Sequence, residues 1–357
     1  MKIYLLLLWI FIGTRTSMGK ELRQDGRSLS LFSVVTFDNV ECTGSASKKH
    51  GICFTSDECT ENGGSADGNC ASGFGVCCTF TVSTCGTTVS RNLTYVTNPS
   101  YPSSYTTTGT CTFTINRVND NICQIRLDFD TLVLTEPATG ECSSTNTDKL
   151  TFTSPSGFVP PGTGGLCGDS LSGDHMYIET GLTGSVGMSF AIGSATGSRT
   201  WKIKVTQIEC GTSWKAPEDC AQYFTGISGE FQSYNNVGDQ TLQSQNYKYC
   251  IRQEAGMCGI QYTSVEMDLD ATIDAASQSV DATDADICPI TAIRIPGVVG
   301  AKASEFCGSI LSVGNEATIN GALTTYSTPF VVSYFTTTGT TLATFNGFKL
   351  KYTQIPC

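Results

Sequence analysis

Apolar and polar residues alternate in steps of two along much of the chain, most sharply in a nonapeptide that occurs twice. Residues 202–210 read K-I-K-V-T-Q-I-E-C and residues 349–357 read K-L-K-Y-T-Q-I-P-C. Ile203, Val205 and Ile208 of the first copy are answered by Leu350, Tyr352 and Ile355 of the second. Such a pattern predicts a strand with one buried face. A strand closing on a cysteine and used twice points to two copies of one domain in series. The same alternation marks I-R-L-D-F-D at 125–130, and 266–270, where Glu266, Asp268 and Asp270 are interleaved with Met267 and Leu269. No long stretch carries the helical period, so the expected fold class is all-β with many turns.

Composition narrows the setting. The 357 residues suffice for two or three domains, and only 15% of them are charged. A formal net charge of −11 leaves no basic surface to neutralise phosphates, which argues against nucleic acid. Residues 1–19 have the form of a signal peptide: Lys2, an apolar run from Ile3 to Ile12, and a small-x-small end at Ser17-Met18-Gly19. That run is about half of the roughly 20 residues a membrane-spanning helix needs, so no membrane insertion is expected. Eighteen cysteines behind such a leader predict nine disulfides formed in an oxidising compartment. Zinc is a poor alternative, because the chain has only two histidines and no paired C-x-x-C knuckles.

After a polar extension (20–41), with Arg27 as a possible processing site, six cysteines crowd residues 42–78: Cys42, Cys53, Cys59, Cys70, Cys77 and Cys78. So short a module must be held mainly by its bridges. Sequence alone allows fifteen pairings. The order of spacings and the adjacent Cys77-Cys78 resemble the clip modules of arthropod secreted proteases, which would imply Cys42–Cys77, Cys53–Cys70 and Cys59–Cys78.

Residues 85–210 open with C-G-T-T-V-S and run through N-P-S-Y-P (Asn98 to Pro102) to C-T-F-T-I at Cys111. They continue through Asp148-Lys149-Leu150 and Leu166-Cys167-Gly168 to the closing strand. This resembles a CUB domain. The resemblance implies a jelly-roll-like antiparallel β-sandwich with bridges Cys85–Cys111 and Cys142–Cys167. Cys123 and Cys210 are additional to the family's usual four, and are paired here. Closing so long a loop is worth on the order of 4–5 kcal/mol. A linker, 211–219, contains Trp214 and is too short for free domain motion, so the two domains are expected to touch. Residues 220–357 repeat the cysteine order, and Gly347-Phe348 resembles the CUB Gly-Phe, although no Pro-Tyr-Pro turn opens this copy. Analogy implies Cys220–Cys250, Cys288–Cys307 and Cys258–Cys357 in a divergent second CUB-like domain. The whole is similar to secreted arthropod CUB proteins that lack a catalytic domain.

The CUB resemblance also implies a calcium site made of a Glu, an Asp after the third family cysteine, and an Asp in a later loop. Glu136 and Asp148 match the first two. The later loop, I-G-S-A-T-G from Ile192 to Gly197, supplies no Asp, so the expected set is incomplete. The carboxylates from Glu266 to Asp286 lack the EF-hand arrangement and read as a solvated face, or as a patch for a basic partner. His50 and His175 sit in no catalytic motif and read as surface residues, and no G-x-S-x-G occurs. Asn92-Leu93-Thr94 is a glycosylation sequon, expected to be exposed.

These features point to a secreted, non-catalytic protein with no cofactor, recognising an extracellular protein or glycan through loops of its CUB domains. The alternative is a non-catalytic regulator, decoy or cofactor, of extracellular serine protease cascades; an enzyme is disfavoured. Loss of Cys357 is expected to weaken the second domain and leave the first folded. The nine-bridge reading predicts no free thiol in the denatured, unreduced protein; two or more titratable thiols would refute it.

Overall fold

The computed structural model describes residues 35–357 apart from 144, 146, 158, 182, 194, 195, 237–239, 270–278, 283–287, 289, 302, 303, 314–318 and 339–344. The expected leader, Arg27 and most of the acidic run lie outside the described residues. The chain divides into two compact units, 1–79 and 80–357.

In the first unit β1 (Glu41–Thr43), β2 (His50–Phe54), β3 (Ser65–Cys70) and the start of β4 (Gly75–Val82) form an antiparallel sheet beside a one-turn helix, α1 (Ser56–Glu61). Thr55 and Glu58 close a capping box at the start of α1. Their hydrogen bonds hold the Glu58 carboxyl below the usual range. The unit's interior is largely cystine: Cys42–Cys77, Cys53–Cys70 and Cys59–Cys78, with Cys53, Cys59, Cys77 and Cys78 buried. Of the apolar residues at 35–40, Phe37 is half-buried while Val35 and Val40 stay exposed.

The second unit is all-β. Its first sandwich comprises β5 (Thr88–Val89), β6 (Thr94–Thr97), β7 (Gly109–Ile115), β8 (Ile122–Val133), β9 (Asp148–Thr153), β10 (His175–Glu179), β11 (Val186–Ile192) and β12 (Thr200–Glu209). One sheet runs β6-β12-β8-β10, with the end of β4 added parallel to β6; the other runs β5-β7-β11-β9. Phe190 of one sheet stacks on Trp201 of the other at 4.2 Å. The second sandwich comprises β13 (Cys220–Phe224), β14 (Ser228–Gln232), β15 (Asn246–Ile251), β16 (Met257–Asp268), β17 (Ser279–Ala282), β18 (Thr291–Arg294), β19 (Glu305–Gly308), β20 (Ala322–Thr325), β21 (Phe330–Thr336) and β22 (Gly347–Pro356). Its sheets run β13-β15-β21-β18-β19-β17 and β14-β22-β16-β20. They meet through aromatic contacts, among them Phe231–Tyr249 at 4.7 Å and Tyr334–Phe348 at 5.1 Å.

The repeated nonapeptide is the interior strand of one sheet in each sandwich. In β12, Trp201, Ile203 and Val205 are buried, while Lys202 and Lys204 reach Asp130 at 2.9 Å and Asp128 at 3.3 Å on the wetter face. In β22, Phe348, Leu350 and Tyr352 are buried, and Lys349 reaches Glu230 at 3.3 Å. The Gln common to both copies is buried and sews loop backbone to strand. Gln207 accepts from Val118 N and donates to Asn116 O. Gln354 donates to Gly226 O and Arg252 O and accepts from Glu254 N. The inward position after Val205 is thus Gln207. Ile208 turns the other way and packs with Tyr177, Ala216, Cys220 and Cys250.

The remaining six disulfides are Cys85–Cys111, Cys123–Cys210, Cys142–Cys167, Cys220–Cys250, Cys258–Cys357 and Cys288–Cys307. None joins the two sandwiches. Nevertheless the sandwiches share one continuous hydrophobic core. The expectation that the first would stand alone when the second is weakened is therefore revised, because contiguous burial couples them. The linker contributes Ala216, buried and held by both amide atoms of Gln124. Trp214, also in the linker, is 71% exposed.

Replacing Cys258 and Cys357 together by Ala should cost about 2–5 kcal/mol. Because the core is continuous, denaturation should move the unfolding of residues 80–357 as one transition. Two separated transitions, with 85–210 unmoved, would contradict the coupling.

Candidate functional site

The junction of the two sandwiches gathers the buried polar chemistry of the second unit, and Asn235 is its centre. Asn235 follows β14 in a left-handed turn, φ 60°, a conformation Asn tolerates better than most residues. It is fully buried. Its Oδ1 accepts from Ser170 N at 3.2 Å, and its Nδ2 donates to Glu136 Oε1 at 2.9 Å and to Gln240 O at 3.2 Å. Gly168, of the Leu166-Cys167-Gly168 motif, lets the amide in. Its φ is +99°, and a Cβ there would lie 2.0 Å from Asn235 Oδ1. The glycine so serves the junction as well as its own turn. Gly347 has the same role inside the second sandwich, where a Cβ would meet Ser233 Oγ at 2.2 Å.

Further hydrogen bonds extend the seam. Gln243 N donates to Gly140 O at 2.8 Å and its Nε2 to Thr139 O at 2.7 Å. Gln245 Nε2 donates to Gly165 O at 2.9 Å, and Asn246 N to Pro161 O at 2.7 Å. At the far end Tyr234 OH donates to His175 O at 2.8 Å, and Tyr223 N to His175 Nε2 at 3.2 Å. His175 also lies edge-on to Phe224 at 5.1 Å. These partners offset much of the cost of burying polar surface, although Gln245 Oε1 and Asp174 Oδ2 are buried without one.

Alongside the seam opens a cleft of about 820 Å³. The first sandwich lines it with residues 151–154, Gly157, Val159, Gly162 and Thr163; the second lines it with 244–246 and 336–338. Six of these residues are Thr, two are Ser, and none is charged. Its size falls in the range of ligand sites, about 300–1,000 Å³. Neutral hydroxyls and amides can orient a polar, uncharged ligand; the lining offers no nucleophile–base pair for covalent or acid–base chemistry.

The two residues expected to hold calcium have different partners. Asp148, the first residue of β9, is fully buried, and its Oδ2 accepts from Arg199 Nε at 2.7 Å and Thr135 N at 2.8 Å. Glu136 is drawn to the junction instead: Oε1 holds Asn235, and Oε2 accepts from Asp169 N at 3.1 Å. Among the described residues no cluster of three His, Cys, Asp or Glu could hold a metal. Asn92 is half-buried rather than freely exposed, and its Oδ1 accepts from Gln207 N at 2.7 Å and Leu93 N at 2.9 Å. His50 lies 2.5 Å from Glu41 in the first unit. His175, expected at the surface, is half-buried at the junction, where Tyr223, Phe224 and Tyr234 of the second sandwich pack on it. Glu266 and Asp268 lie on the wetter face of β16 with Met267 and Leu269 inside. Asn235 and Arg199 carried no signal of their own: a lone Asn or Arg in a polar loop is ordinary until its partner is known.

Asp174 and His175, at the junction, are both pushed toward their neutral forms. Burial pushes the Asp174 carboxyl up to about 8, against the hydrogen bond from Gln232 and the charge of Lys349. Burial lowers His175 to about 4, helped by Arg126 and opposed by Asp128 and by the hydrogen bond from Tyr223. The raised Asp174 contributes stability that is complete below its unfolded value near 3.8 and is lost as pH rises through about 8. The depressed His175 contributes stability present above about 6.5 that is lost as pH falls through about 4. Between pH 4 and 6.5 the two slopes oppose each other; above 6.5 only that of Asp174 remains. Urea unfolding should therefore show a loss of about 2 kcal/mol from pH 6.5 to 8. Asp174→Asn should flatten that loss, and a wild type equally stable at both pH values would contradict the assignment.

Residues 217–355 match the family model of the animal CUB domain. No curated protein matches the chain. Among solved structures the chain is similar to the CUB1-EGF-CUB2 domains of rat MASP-1, at 14% identity over 76% of this chain and 99% of that one, TM-score 0.27. It is similar to the CUB1-EGF-CUB2 domain of human MASP-1/3, at 14% identity over 74% and 100%, TM-score 0.26. It is also similar to the full extracellular region of zebrafish Gpr126/Adgrg6, at 9% identity over 75% and 37%, TM-score 0.29.

Proposed function

We propose that this protein is a secreted, non-catalytic binding or adaptor protein that recognises an extracellular protein or glycan at the cleft between its two sandwiches. The division into a leader (1–19), a six-cysteine clip-like module (42–78), a CUB domain (85–210) and a divergent second one (220–357) belongs to the same proposal, as does a glycan on Asn92. CUB domains are extracellular binding and adaptor modules, and no catalytic family is indicated. Nine disulfides favour an oxidising, extracellular setting. No helix among the described residues is long and apolar enough to cross a membrane. The observation that carries the reading is the cleft itself, of ligand size, uncharged and built from both sandwiches.

The test uses the mature protein as bait in extracellular fluid, beside a variant carrying Thr153→Trp and Thr338→Trp. Both positions are exposed on the cleft walls, so the fold should survive the change. Wild type should retain a partner or glycan that the variant loses, and should turn over no peptide, ester or glycoside substrate. Equal capture by both proteins would move the site elsewhere. Turnover would make the protein an enzyme. A serine protease as the main partner would favour the regulator of protease cascades over the adaptor.

A further inference from the structure

The CUB resemblance places a calcium ion at Glu136 and Asp148, and the donor set in this chain does not fit one. Calcium takes about six to eight oxygens, several of them carboxylate. Asp148 already faces a cation, since Arg199 is fully buried with Nε 2.7 Å from its Oδ2. The guanidinium continues into the loop before β12, where Nη1 donates to Gly197 O at 3.2 Å and Nη2 to Thr196 O at 3.3 Å. The loop packs tightly on this arrangement. Gly197 has φ +120°, and a Cβ there would lie 2.9 Å from Thr135 Oγ1 and 3.5 Å from Arg199 Nη2. Two buried oxygens here lack a hydrogen-bond partner, Asp148 Oδ1 and Thr135 Oγ1, far short of a calcium shell. Glu136 is engaged elsewhere, its Oε1 with Asn235 Nδ2 and its Oε2 with Asp169 N.

We propose that Arg199 is the resident cation of this end of the first sandwich. Its one positive charge neutralises the carboxylate of Asp148, and its planar fork ties β9 to the carbonyls of Thr196 and Gly197. That is the cross-link a divalent ion would otherwise make. A calcium ion would bring a second, uncompensated cation into a dry site a few ångströms from a guanidinium. With Asp148 neutralised internally, Glu136 serves as a positioning residue that holds Asn235 and so orients the second sandwich. This end of the first sandwich is therefore held without calcium.

Thermal unfolding of the full-length protein tests this. The wild-type midpoint should be the same in EDTA and in millimolar calcium. Arg199→Met keeps the length of the side chain but strands a buried carboxylate, and should lower the midpoint by at least about 6 °C. Adding Asp148→Asn to Arg199→Met removes the stranded charge and should recover more than half of that loss. If Arg199→Met fails to fold, folding of the double variant supports the proposal and its failure to fold counts against it. A wild-type midpoint raised by calcium and lowered again by EDTA would overturn the proposal, as would an Arg199→Met midpoint equal to that of wild type.

Discussion

Each sandwich depends on one interior strand whose end is covalently fixed. β12 and β22 pair on both sides within their sheets, carry large buried side chains such as Trp201 and Tyr352, and run directly into Cys210 and Cys357. The partners, Cys123 and Cys258, sit near the start of β8 and β16, the strands that pair with them. The bridge therefore ties together two strands that are already neighbours, at the point where the register would otherwise fray. The shared Gln adds a polar counterpart, fastening adjacent loops to the same strand through a buried amide. Register, core and loop position follow from this pair of constraints, since a slip by one residue would expose Trp201, Ile203 and Val205 and bury the lysines.

The junction obeys a different logic. It combines aromatic contact with a line of hydrogen bonds from neutral amides and hydroxyls, and Glu136 is the charged member at its centre. Each of those hydrogen bonds lowers the cost of burying polar groups only in one relative placement, so together they position the sandwiches. Asp174 and His175 show the consequence. Each is forced toward its neutral form by the cover of the opposite sandwich, which links the seam to pH. The neutral cleft beside the seam inherits its shape from this positioning.

Arg199 illustrates how one side chain redirects a site. The Asp148 carboxylate is held in an internal ion pair because a guanidinium lies within reach. The neighbouring Glu136 then turns to a structural task across the junction.

Much of this was legible in the chain itself. Period-two alternation predicts the strands, and their faces follow from side chains pointing alternately to opposite sides, a purely local geometry. The count of bridges follows from an even number of cysteines behind a leader-like segment. The departure at Gln207 and Ile208 was not legible, because Ile208 is buried by the linker and the second sandwich rather than by its own sheet. Nor were the exposure of Trp214, the partial burial of His175, the meeting of Asn235 with Glu136, or the pairing of Arg199 with Asp148. Each of those depends on which surfaces, far apart in sequence, are pressed together. Sequence by itself determined the strands and their buried faces, because backbone geometry ties them to the local pattern. Tertiary structure alone decided which polar groups are buried and what they hold, because desolvation and hydrogen bonding depend on partners brought by the fold.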